Sequence, residues 1–253
     1  MVPPGFERLL LGHAVAVARA DVADSIRRSL VSADGTRSTL HEYAARQPGA
    51  RTLAGRGTAY AVALPASGVR VVVRHNRHGG LFAPLTGDRF LSPTRAPYEL
   101  EMSLALRRLG ISTPEMLAYV LYPPGGLLQR SDVCSREVAN SRDLAAILVS
   151  DGSPERAAAL ATTAELLAAL AKAGARHADL NAKNVLLTYE MGYVLDVDRL
   201  ILESAGQHVL DANFSRLARS LRKWRDRFGA RISEKDINDL EGAARQAFQR
   251  AAA

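Results

Sequence analysis

Apolar positions alternate with polar ones in the first half of the chain and recur at helical spacing in the second. Thr58 to Leu64 and Val69 to Val73 read as two strands joined by the turn signal Pro65-Ala66-Ser67-Gly68, a hairpin over 58–74. Glu99 to Leu109 has helical spacing, with Leu100, Leu104, Leu106 and Leu109 as expected buried positions and Gly110 as its stop. Strands follow near Met116–Tyr122 and Leu127–Val133. The Ala/Leu-rich run Pro154 to Ala173 predicts a buried helix capped by Ser153 and stopped by Gly174. Short strands Val185–Thr188 and Tyr193–Asp196 come next, then amphipathic helices over Asn213–Phe228 and Ser233–Arg250, the last capped by Ser233. Residues 1–50 read as a mixed leader with no assigned architecture; Asp21 to Val31 has weak helical spacing and His41 to Arg46 reads as a further turn. The pattern predicts an α+β protein with a β-rich small lobe at about 51–133 and a helical large lobe at about 140–253.

Between the buried helix and the last two helices lies the most informative stretch, His177-Ala178-Asp179-Leu180-Asn181-Ala182-Lys183-Asn184-Val185-Leu186-Leu187. It sets Asp179 and Asn184 five residues apart on a loop that runs straight into a strand, and the next strand ends in Asp196. This is the order of a kinase catalytic loop and its metal-binding Asp. Phosphoryl transfer needs one carboxylate to orient the attacking hydroxyl, the role expected of Asp179. It also needs hard oxygen donors for Mg²⁺, the role expected of Asn184 and Asp196. His177 is read as a brace for the loop. Asp198 lies two residues beyond Asp196, so an extended strand would put both on one face; pairing with Arg199 is its plainer role.

In the small lobe, Arg74 stands late on a strand and Glu99 early on the helix, the places of a phosphate-clamping cation and its acidic partner. Arg is unusual there, since the role normally falls to Lys, although its fork can grip phosphate oxygens. The plainer readings are a strand end with its head in solvent and an acid at a helix N-terminus. Gly55-Arg56-Gly57 is the candidate nucleotide-covering turn, with Gly55 and Gly57 letting backbone N–H groups approach phosphate. Arg77 and His78, followed by Gly79-Gly80, suggest a site for a substrate anion. His75 and His78 are three apart with no third ligand near in sequence, which argues against a metal there.

The 253 residues carry 33 Lys and Arg against 26 Asp and Glu, a net charge of +7, so the surface is basic. The arginines are dispersed, and no aromatic-rich basic strand or recognition helix supports nucleic-acid binding. Cys134 is the only cysteine, which excludes an internal disulfide and fits a reducing compartment. No run approaches the ~18 apolar residues of a membrane span, and Glu7, Arg8 and His13 interrupt any signal-peptide pattern.

Several blocks together resemble one family. They are Gly55-Arg56-Gly57, Val72 to Leu81, Thr94-Arg95 through Glu99, His177 to Leu187, Leu195-Asp196-Val197-Asp198-Arg199, and Asn213 to Lys223. The chain resembles the Kdo/WaaP lipopolysaccharide kinases, and within them the members that act on 3-deoxy-D-manno-octulosonic acid (Kdo). The resemblance covers most of residues 51–225 and implies a protein-kinase-like two-lobed fold. It also implies ATP and Mg²⁺ as cofactors, and phosphorylation of a Kdo hydroxyl, usually the 4-OH, in the lipopolysaccharide inner core. The implied partners are a Kdo-containing lipid A precursor and a membrane surface, with work at the cytoplasmic face of the bacterial inner membrane. Arg in place of Lys is the family's own pattern. The chain departs from that pattern at Asn76 and Val197, where aromatics are common, and at Lys183, where His is common. An anionic acceptor gives the basic surface a purpose, with Arg56, Arg74, Arg77, Arg216, Arg219 and Arg222 as candidates to steer it; the last three also read as a solvated helix face. The alternatives are a heptose or other small-molecule kinase, and a nucleotide-binding pseudokinase suggested by Arg74 and Val197.

Overall fold

The computed structural model describes residues 2–31, 35–53, 58–76, 90–91, 95–122, 128–150 and 152–250. The chain divides into two compact units, Met1–Glu101 with Glu115–Glu137, and Met102–Pro114 with Val138–Ala253.

The first unit is built on one antiparallel sheet. Its strands are β1 (Phe6–Leu10), β2 (Val15–Arg19), β3 (Arg51–Leu53), β4 (Ala59–Ala63), β5 (Arg70–His75), β6 (Phe90–Leu91), β7 (Met116–Tyr122) and β8 (Leu128–Arg136). They run in the order β1-β2-β7-β8-β5-β4-β3, with β6 also on β8. The expected hairpin is β4–β5, in which Ala59 faces Arg74 and Ala63 faces Arg70. Val71 and Val73 are fully buried, while Arg70 is exposed and Arg74 half-buried, so period-two alternation sets which face of β5 is inside.

Residues 1–50, expected as a leader of uncertain structure, supply elements of this unit. Residues 6–19 form β1 and β2, and β2 pairs with β7 through Val15–Leu121 to Ala18–Ala118. Helices α1 (Ala23–Leu30) and α2 (Leu40–Arg46) then bury Ile26, Leu30, Leu40 and Ala44 in the same core as Val62, Val71, Val73 and Val120. Each such buried Leu or Ile contributes about 1.5–3 kcal/mol relative to exposure. Thr39 starts α2 with a capping box: its hydroxyl accepts from Glu42 N–H (3.1 Å) and its own N–H donates to the Glu42 carboxylate (2.9 Å). Segments of short, small-residue strands hide this membership from periodicity.

Helix α3 (Ala96–Arg108) begins three residues before its expected start and is shared between the units. Leu100 and Leu106 are buried as expected, but Leu104 is only half-buried and Leu109 is 50% exposed. Met102, Leu106 and Ile111 join the core of the second unit, and Val194 N–H donates to Ser112 O (3.0 Å), which assigns Met102–Pro114 to that unit rather than to the small lobe.

The second unit is helical, with two small groups of short strands. Its elements are β9 (Arg142–Asp143), α4 (Leu144–Ser150), α5 (Ser153–Lys172), β10 (Ala175–His177), β11 (Val185–Leu187), β12 (Gly192–Val194), β13 (Leu200–Leu202), α6 (Gln207–Phe228) and α7 (Glu234–Arg250). Gly152, one residue before the expected Ser153, is the N-cap of α5. Leu166, Leu167 and Leu170 of α5 meet Leu144 and Leu148, Leu217 and Leu221, and Ile237 and Leu240 from the neighbouring helices. Helix α5 ends at Lys172 with Ala173 as its C-cap, and the chain turns at Gly174, which takes φ 64°; a Cβ there would lie 1.9 Å from the Glu203 carbonyl oxygen, so only glycine passes. That close approach lets β10 start at once and pair with β13.

Candidate active site

Helix α6 sets the entry of the loop that follows β10. The Asn213 side chain is fully buried; its Nδ2 donates to Ala175 O (3.0 Å) and its Oδ1 accepts from His177 N–H (2.9 Å). One amide thus binds the first and last residues of β10. About two turns farther along the same face, Ser220 Oγ accepts from Ala182 N–H (3.1 Å). Farther still, the Trp224 ring lies 5.4 Å from the Lys183 ammonium, which also pairs with Asp143 (3.1 Å). Ala182 O accepts from Ala145 N–H of α4 (3.2 Å).

His177 is the hub of the loop and is fully buried. Its Nδ1 accepts from Asp179 N–H (3.1 Å), so Nε2 carries the proton and donates to Leu195 O (2.9 Å). This braces the segment holding Asp179 against the one leading to Asp196. The Asp179 carbonyl accepts from the side-chain nitrogens of both Asn181 and Asn184 (3.0 Å each), and Leu195 N–H donates to Asn184 O (2.9 Å). Asp179, Asn184 and Asp196 are therefore tied together through neighbouring atoms, and all three are half-buried rather than sealed.

Strand β12 ends at Val194, two residues short of expectation. Asp196 takes the left-handed conformation (φ 60°, ψ 45°), and Val197–Arg199 form a 3-10 turn closed by Arg199 N–H to Asp196 O (3.1 Å). The extended geometry that would put Asp196 and Asp198 on one face is absent. Asp198 lies 3.9 Å from Arg199 Nε. Val197 is buried, so a small apolar side chain fills the position after Asp196.

The two hard oxygens suit a magnesium ion. Asn184 has its NH₂ engaged by Asp179 O, and among the described residues neither its Oδ1 nor the Asp196 carboxylate accepts a hydrogen bond. Two such ligands, completed by phosphate oxygens and water, are what Mg²⁺ ordinarily takes. Among the described residues no group of three His, Cys, Asp or Glu could cage an ion alone.

In the first unit, Arg74 Nη2 donates to Glu99 Oε1 and Nη1 donates to Asn76 Oδ1 (2.7 Å). Glu99 and Asn76 are both buried, and Arg74 keeps a third of its side chain exposed. Asn76, where the family resemblance leads one to expect an aromatic, thus has a task of its own. Next to Arg74, His75 Nδ1 lies 2.5 Å from Asp132, a fully buried carboxylate that also accepts from Tyr122 O–H (2.8 Å) and His41 N–H (2.9 Å). Burial, and then Asp132, push the Tyr122 hydroxyl well above its ordinary pKa, so it stays a donor. The expected residues Gly55, Gly57, Arg56, Arg77 and His78 lie outside the described residues.

Asn213, Ser220, Asn181 and Asp132 carry no chemical motif of their own, and sequence reasoning gave them no role. The sequence model of the lipopolysaccharide kinase (Kdo/WaaP) family matches residues 44–243. The chain belongs to this family. It is 32% identical over 199 residues to the 3-deoxy-D-manno-octulosonic acid kinase of Vibrio vulnificus strain CMCP6, covering 74% of this chain and 78% of that one. To the enzyme of the same name from Stenotrophomonas maltophilia strain R551-3 it is 32% identical over 203 residues, 78% of each chain. Among solved structures it is similar to WaaP in complex with acyl carrier protein (TM-score 0.44, 16% identity, 83% of this chain and 93% of that one). It is also similar to a glucosamine kinase in complex with glucosamine, ADP and inorganic phosphate (TM-score 0.45, 12% identity, 99% and 82%). The family, and the enzymes named in it, make the protein a sugar kinase.

Burial holds the His177 pKa below its ordinary value, against the opposing pull of the Leu195 carbonyl, Asp196 and Asp179. The unfolded chain therefore binds a proton at this position before the folded one does. Stability contributed here is full above the ordinary histidine value of about 6.5 and declines as pH falls below it. We expect the thermal midpoint to drop from pH 7 to pH 5 and His177→Gln to flatten that part of the profile; an equally steep profile in the variant would remove His177 as its source.

Proposed function

We propose that the protein transfers the γ-phosphoryl group of ATP to a hydroxyl of Kdo, the 4-OH, in a lipopolysaccharide inner-core precursor. The observation that carries this is the tie of Asp179, Asn184 and Asp196 around one neutral buried histidine in a member of the Kdo/WaaP family. Relatives named 3-deoxy-D-manno-octulosonic acid kinase support Kdo as the acceptor.

Asp179 orients the acceptor hydroxyl and takes up its proton as the oxygen attacks. Asn184 and Asp196 hold the metal, and magnesium, when bound, neutralises charge on the phosphates. Arg74, fixed by Glu99 and Asn76, presents its exposed edge to phosphate oxygens. Backbone N–H groups at Gly55 and Gly57 cover the nucleotide, and Arg77 and His78 receive an acidic group of the substrate. The sheet unit serves as small lobe and the helical unit as large lobe. The acceptor is a membrane lipid, so the protein works as a peripheral protein at the cytoplasmic face of the inner membrane; no helix among the described residues is long and apolar enough to cross one.

The test incubates purified protein with labelled ATP and a Kdo-bearing lipid A precursor, beside a heptosylated acceptor. Label on the Kdo sugar, placed at the 4-position by mass spectrometry, is the expected result. Transfer to the heptosylated acceptor alone would reassign the protein to heptose.

A further inference from the structure

Between residues 216 and 227, helix α6 carries six cations, Arg216, Arg219, Arg222, Lys223, Arg225 and Arg227, and one acid, Asp226. They are not equivalent. Arg222 and Arg225 are both held by Glu234 of α7 (Arg222 Nη2 at 3.0 Å and Arg225 Nη1 at 2.5 Å), which depresses the Glu234 carboxyl to about 2. Arg225 also takes up Asp226 (2.8 Å). Arg222, expected to steer substrate, is thereby occupied with joining two helices. Arg216, Arg219, Lys223 and Arg227 are exposed, and none of them forms an ion pair among the described residues.

Their spacing matters more than their number. Positions i, i+3, i+7 and i+11 fall on one stripe of a helix, within an arc of roughly 80°. On the same helix Asn213, Ser220 and Trp224 face the catalytic loop, through Ala175 and His177, through Ala182, and under Lys183. Helical spacing puts the unpaired cations on the strip next to those three, on the solvent side. Ser220 lies between Arg219 and Lys223 in sequence and itself binds the backbone three residues beyond Asp179. Four cations with no ion pair among the described residues therefore lie, by helical spacing, beside the contacts that α6 makes to the loop that holds Asp179. Such a row costs self-repulsion along one face unless an anion shares it.

We propose that Arg216, Lys223 and Arg227, flanked by Arg219, form the acceptor's anion-binding rail, which takes the carboxylate and phosphate groups of an acidic sugar-lipid and sets its hydroxyl toward Asp179. The inference rests on the functional reading above and deepens it by assigning the site for the acceptor's charges. Arginine forks suit both groups through paired N–H donors, and Lys223 serves as a point charge. Two or more acidic groups on one ligand match a row of cations better than a single phosphate does.

The test compares two double variants that each remove two positive charges, Arg216→Gln/Lys223→Gln on the rail and Arg27→Gln/Arg28→Gln on the exposed face of α1. Both are measured with a Kdo-bearing lipid A precursor in neutral detergent micelles, for transfer kinetics and, without ATP, for binding by calorimetry. The rail variant should raise the acceptor KM and weaken binding about tenfold, flatten their salt dependence, and leave kcat and the ATP KM within about twofold. The α1 variant should match wild type. Equal acceptor binding in wild type and the rail variant would overturn the inference, as would an equal loss in the α1 variant. So would loss of binding to phosphatidylglycerol vesicles with acceptor KM retained, which would give the row to the membrane surface. Wild-type binding without transfer would instead sink the functional reading and leave the rail judged by calorimetry.

Discussion

Asp179→Ala should lower turnover on the Kdo-bearing acceptor by about 10²–10⁴-fold and leave ATP affinity within about twofold. The separation follows from how the residue is held. Asp179 N–H donates to His177 Nδ1, and its carbonyl accepts from Asn181 and Asn184. These bonds run to backbone atoms, so alanine keeps them and the loop keeps its course. What is lost is the carboxylate alone. Single-turnover kinetics beside calorimetry with ATP measures both quantities, and a thermal midpoint near that of wild type certifies the fold. Turnover within about tenfold of wild type would show that another group handles the acceptor proton.

The second large effect belongs to the metal side. Asp196→Asn should weaken Mg-ATP binding by about tenfold or more, a loss of about 1.4 kcal/mol or above, whereas Asp198→Asn should change it by less than about threefold. Asparagine is the informative replacement because Asp196 sits at φ 60°, ψ 45°, a region that Asn enters far more readily than Ala. It keeps the turn and one neutral oxygen while removing the charge. Asp198 lies on the 3-10 turn beside Arg199, and its replacement removes that contact rather than a ligand. Titrating Mg²⁺ at fixed ATP ranks the two variants; the opposite order would move the metal position two residues along.

What sequence alone made legible follows from how far apart the partners are. The loop from His177 to Asp196 holds its polar groups within twenty residues, so its spacing could be read directly. The β4–β5 hairpin and helices α5 to α7 were legible too, because turn residues, caps and periodicity are local signals, although α6 starts at Gln207, six residues before the expected Asn213. The supports were not. Asn213 is 36 residues from His177 and Ser220 is 38 from Ala182; Asp132 is 57 from His75 and 91 from His41. Each is an ordinary polar residue until the fold brings its partner near. Asp196 shows a different limit. An apolar strand ending in Asp reads as extended, yet the backbone turns left-handed at that residue, and nothing in the residue types announces it.

The route of the first nineteen residues through the sheet has a practical corollary. The family match begins at residue 44, which invites trimming to that point. A shortened chain would keep every motif of the phosphoryl-transfer loop. It would also strip β2 from β7 and leave the Ala118-Tyr119-Val120-Leu121 edge with bare amides and carbonyls beside an uncovered apolar face. Such an edge recruits strands from other copies. Insolubility of the trimmed protein would then reflect a missing neighbour strand and say nothing about the catalytic machinery.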